Sequence, residues 1–235
     1  KVQKATWSKY RIQGMRTMGD SIRGLDFVLI TDRKVCGKKL TDIIEQAIDG
    51  GVGTVQLREK DLSTGDLYSL AKEIREITER KGANLIINDR VDIATAVDAD
   101  GVHLGWQSLE IDTVRRMIGQ DKIIGFSAHS LEEAERAENS GADYISISPI
   151  FDTVNKDYFI EPLGVGEIGK IKAQINIPVI ALGGINENNV SKVLKSGADG
   201  IAMISAILLS DSPGQAVTRI CREMRKIGSE SEIKL

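Results

Sequence analysis

The chain has 235 residues, room for one large domain, and its 41% hydrophobic and 28% charged residues are ordinary for a globular protein. A net charge of −3 argues against a nucleic-acid binder, which would carry a basic excess. The absence of any run of 18 apolar residues or signal-type segment gives the expectation of a cytoplasmic protein with no membrane partner.

Residues 1–24 are basic, hold Trp7, Met15 and Met18, and precede the first strong strand signal. They are expected to form an extra helix or arm, or a disordered extension, ahead of a domain over 25–228 and a tail over 229–235. From residue 25 short β-rich runs alternate with helical stretches. The runs are Phe27–Asp32, Thr54–Glu59, Asn84–Asp89, Gly101–Leu104, Ile123–Ala128, Tyr144–Ile150, Pro178–Gly184 and Gly200–Ile207. Between them apolar residues recur at helical spacing, as in Leu67, Leu70, Ala71, Ile74 and Ile77. Such alternation predicts βαβ units and a parallel sheet, and eight units close naturally into a (β/α)8 TIM barrel. Aromatic residues are only 4%, which suits a core of Ile, Val, Leu and Ala between parallel strands and covering helices. The segments DGGVGTVQL, AVDADGVHL, NSGADYISI and KSGADGIAM read as one unit repeated, each ending a helix and entering a strand. One long interruption, 151–163, falls after the sixth strand, on the face where barrels build active sites. Cys36 and Cys221 stand far apart in no metal-like spacing, so no disulfide framework is expected.

In a barrel the carboxyl ends of the strands carry the chemistry. The second run ends Gln56-Leu57-Arg58-Glu59-Lys60, with Gln56, Arg58 and Lys60 on one side. An Arg fork beside a Lys point charge suits a diphosphate, unless both cations simply pair with Glu59 and Asp61. The third run ends Asn88-Asp89. A carboxylate among phosphate-binding cations suggests a bridging Mg²⁺, or else a cap on the following helix. His103 ends the fourth run, Ser127 and His129 follow on the fifth, and Thr153, Asn155 and Lys156 lie on the long loop. Gly183 and Gly184 end the seventh run, and Ile204 and Ser205 lie on the eighth. Glycine and a helix start there predict a monophosphate held by backbone N–H groups, unless the glycines serve only to turn the chain. Two anions side by side, one diphosphate and one monophosphate, suggest group transfer with diphosphate leaving.

The set Gln56-x-Arg58-x-Lys60, Ile87-Asn88-Asp89, Gly101-Val102-His103-Leu104-Gly105, Gly125-Phe126-Ser127-Ala128-His129, Pro149-Ile150-Phe151-x-Thr153, Gly183-Gly184-Ile185 and Gly197-Ala198-Asp199-Gly200 resembles the thiamin-phosphate synthase family over about residues 26–225. The resemblance implies small-molecule substrates. A hydroxymethylpyrimidine diphosphate loses diphosphate to leave a pyrimidine-methyl cation, and the nitrogen of a thiazole phosphate captures it. It implies that Arg58, Lys60, Asn88, Ser127 and Lys156 hold the diphosphate, with Arg58, Lys60, Ser127 and Lys156 as catalytic residues. Asp89 would bind Mg²⁺, Gln56 and His103 would contact the pyrimidine, and Thr153, Gly184, Ile204 and Ser205 would hold the thiazole phosphate. The chain departs from the pattern at Trp106-Gln107-Ser108, where Ser108 stands at the family's second metal carboxylate, so that Mg²⁺ would rest on Asp89, phosphate and waters, or on Glu110 or Asp112 nearby. Asn155 replaces a second Thr. These departures lean toward the related TenI-like thiazole tautomerases, for which His129 would be the acid/base, or toward a non-catalytic binder. Lys60 and Asp89 point back to the synthases. The oligomeric state stays open, a homo-oligomer included.

Overall fold

The computed structural model describes residues 24–153 and 161–232. The arm expected before residue 24, the end of the expected tail and the loop residues Asn155 and Lys156 lie outside the described residues. Eight parallel strands pair in chain order and close into a barrel, with β1 against β8. They are β1 Phe27–Ile30, β2 Thr54–Leu57, β3 Asn84–Asn88, β4 Gly101–Leu104, β5 Ile123–Ala128, β6 Tyr144–Ile147, β7 Val179–Leu182 and β8 Gly200–Met203. The helices are α1 Leu40–Gly50, α2 Thr64–Lys81, α3 Val91–Ala96, α4 Ile111–Ile118, α5 Leu131–Asn139, α6 Val165–Lys172, α7 Val190–Lys195, α8 Ser205–Leu208 and α9 Pro213–Glu232.

Alternation along each strand sorts the apolar residues into two cores. Phe27, Leu29, Val55, Leu57, Ile145 and Ile147 face outward and pack under the helices. Val28, Ile30, Ile86, Ile123, Tyr144, Ile180 and Ala202 fill the barrel interior. On the inward face the apolar residues give way, toward the carboxyl ends, to Gln56, His103 and Ser146, all buried. The interior is therefore a packed plug with a polar top.

The repeated sequence unit has a physical cause. After the left-handed residue that ends the helix, Asp98, Gly141 or Gly197, an aspartate accepts a hydrogen bond from a backbone N–H at the start of the preceding strand. Asp100 accepts from Leu85 at 2.7 Å, Asp143 from Ile124 at 2.7 Å and Asp199 from Val179 at 2.9 Å. Each also pairs with a cation of the preceding helical layer, Arg75, Arg115 and Lys172 respectively. The unit thus ties one strand's start to the next and tiles the bottom of the barrel.

Several strands stop short of the expected runs. β1 ends at Ile30, β2 at Leu57, β3 at Asn88, β6 at Ile147 and β7 at Leu182, because the residues beyond leave the ladder to form the rim. The eighth run needs a larger correction. Its second half, Ser205–Leu208, is helix α8, not strand. An apolar run without a Gly or Pro breaker does not by itself distinguish the two.

Candidate active site at the carboxyl ends of the strands

Hydrogen bonds link the rim from β2 to the loop after β4. Gln56 Nε2 donates to Asn88 Oδ1 at 3.1 Å, and Asn88 Nδ2 donates to Asp89 Oδ2 at 2.7 Å. The Ser108 hydroxyl donates to Asp89 Oδ1, and the Gly105 N–H donates to Ser108 Oγ at 2.7 Å. Asp89 is held at φ 60°, in the left-handed region that non-glycine residues seldom occupy. Its side chain is no helix cap: α3 starts after Arg90 with no side-chain cap bond. Asp89 and Ser108 are therefore neighbours, although nineteen residues separate them.

The pairing of Arg58 and Lys60 with Glu59 and Asp61 is not what forms. Arg33, on the 3-10 turn Arg33–Val35 after β1, takes both carboxylates. Its Nη1 and Nη2 grip Asp61 at 2.6 and 2.7 Å, and Nη1 reaches Glu59 at 3.2 Å. The guanidinium holds the Asp61 carboxyl well below the usual carboxylate range. Alternation buries Glu59 beneath the rim, where the Arg33 N–H also donates to it at 3.0 Å. Among the described residues no carboxylate forms an ion pair with Arg58 or Lys60. The Arg58 backbone N–H donates to Thr31 Oγ1 at 3.0 Å, which fixes the strand end that carries both cations. Thr31 and Arg33 escaped the sequence argument because their partners lie almost thirty residues away and meet them only through β1–β2 pairing.

His103 is fully enclosed. Nδ1 lies 2.9 Å from the Tyr144 hydroxyl, and Nε2 lies 2.9 Å from Ser127 Oγ and 3.2 Å from Ser146 Oγ. Burial holds its pKa down to about 4, so near neutral pH the ring is uncharged. Ser127 is part-buried, above the ring. His129 faces elsewhere: its Nδ1–H donates to the Ser148 carbonyl at 2.6 Å and its backbone N–H to Glu133 at 2.7 Å. Of the two fallback carboxylates, Asp112 pairs with Arg116 along α4 at 2.9 Å.

Across the rim the arrangement changes. β7 and β8 run in register, Leu182 beside Ala202, so Gly184 and Ile204 extend the same pair of strands. Gly183 and Gly184 have φ of 103° and 64°. A Cβ on Gly184 would sit 2.6 Å from the Asp152 carbonyl oxygen and 2.7 Å from Phe151 Cβ. These glycines therefore do more than turn the chain, because they let the loop after β6 lie against β7. The Phe151 N–H donates to the Gly183 carbonyl at 3.1 Å, which leaves Thr153 at the edge of the same group. α8 starts at Ser205, aiming its first turn of N–H groups at this side.

The family profile described as "Thiamine monophosphate synthase" matches residues 27–207. This chain belongs to the thiamine monophosphate synthase family. A thiamine-phosphate synthase of Clostridium novyi (strain NT) is 47% identical over 184 residues, 78% of this chain and 90% of the relative. One of Clostridium tetani is 45% identical over 197 residues, 83% of this chain and 92% of the relative. Thiamine phosphate pyrophosphorylase from Pyrococcus furiosus superposes with a TM-score of 0.78 at 39% identity, over 88% of this chain and 96% of that one. The family match covers all the strands and the rim residues just described.

The donors at Asp89 are few for a bound metal ion. No group of three or more His, Cys, Asp or Glu side chains that could cage a metal occurs among the described residues. Mg²⁺ does not need a cage, since it keeps several waters and is commonly held by one or two carboxylates plus substrate phosphates. One oriented carboxylate with a hydroxyl beside it fits that pattern.

Proposed function

We propose that this chain joins hydroxymethylpyrimidine diphosphate to thiazole phosphate, giving thiamin phosphate and diphosphate. The observation that carries the reading is the state of the charges after β2. Arg33 absorbs both neighbouring carboxylates, so Arg58 and Lys60 are left for an anionic ligand beside a presented carboxylate, Asp89. A site for proton shuttling on a monophosphate alone has no use for that second set of charges, which weighs against the tautomerase reading.

In the reaction the C–O bond between the pyrimidine methylene and the diphosphate breaks, and the electron pair leaves with the diphosphate. The thiazole nitrogen then donates its lone pair to the methylene carbon and forms the C–N bond. No protein nucleophile is required, so the residues act by placement and electrostatics. Arg58, Lys60, Asn88 and Ser127 hold the diphosphate, joined by Lys156 of the loop after β6. Gln56 and the neutral His103 form the floor under the pyrimidine; an uncharged imidazole there does not repel the cation that develops above it. Thr153, Gly184, Ile204 and Ser205 hold the thiazole phosphate through backbone and hydroxyl groups. Asp89, with the Ser108 hydroxyl beside it, would hold Mg²⁺, whose contribution when bound is to neutralise the departing diphosphate.

The test is incubation of the protein with both substrates and Mg²⁺. Thiamin phosphate and diphosphate are expected in equal amounts. Turnover of a thiazole carboxylate phosphate by itself, with no product from the two substrates, would identify a tautomerase. Ligand-induced thermal stabilisation without any turnover would identify a binder.

A further inference from the structure

We infer that Tyr144 is a positioning residue: its phenol sets the tautomer of His103, and through it makes the Ser127 hydroxyl a donor to the ligand. The Ser127–diphosphate half of this statement rests on the function proposed above. The tautomer half rests on the barrel interior alone.

The number of protons in one enclosed space decides the tautomer. Four groups meet there: the Tyr144 hydroxyl, the His103 ring, and the Ser127 and Ser146 hydroxyls. Tyr144 is 2% exposed, and its hydroxyl has no hydrogen-bond partner but His103 Nδ1 among the described residues. Suppose Nδ1 carried the ring proton. It would donate to the phenol oxygen, and the phenol proton would be left buried with no acceptor. An unmet buried donor is costly, whereas an unused lone pair on a phenol oxygen is cheap. The satisfied arrangement has the Tyr144 O–H donating to Nδ1, so the proton of the neutral ring sits on Nε2.

The rest follows outward. Nε2–H donates to its nearer neighbour, Ser127 Oγ, at 2.9 Å. Ser146, also buried, has its hydroxyl 3.5 Å from Ser127 Oγ and gives its proton in the same direction. Both Ser127 lone pairs are then engaged, and its own proton is the one left to point out of the network. Ser127 is the part-buried member of the group, so that proton reaches the rim. An oxyanion is what such a donor accepts as partner.

The space for this device is reserved by the sequence. Gly125 pairs with Tyr144 across β5 and β6. A Cβ on Gly125 would lie 2.2 Å from the tyrosine ring and 2.5 Å from its hydroxyl oxygen. The phenol can stand under His103 only because position 125 is glycine.

Nitrogen NMR on ¹⁵N-labelled protein tests this directly, because the chain has two histidines and a His129→Gln variant assigns them. Near neutral pH, His103 is expected to show a pyridine-like, hydrogen-bonded Nδ1 and a protonated Nε2. Adding inorganic diphosphate with Mg²⁺ is expected to shift the Nε2 signal. Tyr144→Phe keeps the ring and removes the donor. Its Nδ1 signal is expected to move toward the position of an unbonded nitrogen, with KM for the pyrimidine diphosphate raised roughly three- to tenfold and KM for the thiazole phosphate unchanged. A protonated Nδ1 in the wild-type protein overturns the inference, as does a Tyr144→Phe protein with unaltered Nδ1 signal and KM. If that variant does not fold, the wild-type tautomer still decides. If the tautomer is as expected but neither diphosphate nor the diphosphate substrate binds, the proposed function fails and the inference loses its ligand half.

Discussion

Around one rim this barrel carries two kinds of candidate anion site. From β2 to β5 the groups are side chains: Arg58 and Lys60 without a counterion among the described residues, Asp89 in a strained backbone, Ser127 above a buried imidazole. From β7 to α8 they are backbone: two left-handed glycines and the first turn of a short helix, wedged against the loop after β6. Side chains can follow a leaving group whose charge grows, and can share that anion with a metal ion. Backbone N–H groups cannot move and suit a phosphate that keeps its charge throughout. The division matches a reaction in which one phosphate group departs and the other serves only as a handle.

The two halves are expected to break differently. Lys60→Ala removes a cation with no ion-pair partner among the described residues. Turnover is expected to fall by about 100- to 1,000-fold, while folding stability stays within about 0.5 kcal/mol. Steady-state kinetics and a urea melt on the same preparation check both parts. Unchanged turnover would remove the diphosphate from this half of the rim.

Acid is expected to strike the side-chain half from below. Burial lowers the His103 pKa to about 4, opposed slightly by Asp89 and aided slightly by Arg58, so the unfolded chain takes up this proton first as pH falls. Its contribution to stability is complete above about pH 6.5, the unfolded value, and is lost as pH drops toward 4. The loss is about 3 kcal/mol over that window. His103→Gln, which cannot titrate, is expected to flatten this part of the stability–pH curve. Parallel curves for the two proteins would mean that the buried imidazole is not the titrating group.

The backbone half should lose binding and stability together. Gly184→Ala places a methyl against Asp152 and Phe151 in a left-handed residue, costing about 1–3 kcal/mol. The melting temperature is expected to drop by roughly 2–4 °C for each kcal/mol. KM for thiazole phosphate should rise about tenfold, in keeping with 1.4 kcal/mol per decade, and KM for the pyrimidine diphosphate should hardly move. A variant that binds thiazole phosphate normally but melts early would reduce this glycine to a packing role.

The sequence made the barrel legible because its punctuation is regular. A left-handed glycine or aspartate, then an aspartate, then a β-rich run recurs, and the second of these residues binds an N–H group at a strand start. The rim residues were legible because alternation fixes which side of a strand each faces. What escaped was long-range or chemically quiet. Arg33 decides whether Arg58 and Lys60 are available, yet only the pairing of β1 with β2 brings it to Glu59 and Asp61. Tyr144 reads as one more core residue until its register partner, Gly125, is noticed. Ser205–Leu208 continues an apolar strand run without a breaker, and tertiary context makes it helical.

Ser108 gives the most delicate test of the side-chain half. It stands where the family resemblance places a second carboxylate, and here its hydroxyl, held by the Gly105 N–H, caps one oxygen of Asp89. A hydroxyl contributes no charge, so Mg²⁺ at this position would draw most of its binding from the substrate's own diphosphate. Ser108→Asp puts two carboxylates side by side. Without metal they repel, and the variant is expected to be slightly less stable in the presence of a chelator. With metal they cooperate, and Mn²⁺, followed by its electron paramagnetic resonance signal in the absence of diphosphate, is expected to bind about tenfold more tightly than to the wild-type protein. The same comparison with inorganic diphosphate present should show a smaller gap, because the anion then supplies charge to both proteins. Equal Mn²⁺ affinity for the two proteins without diphosphate would mean that position 108 does not face the cation, and that Asp89 works alone.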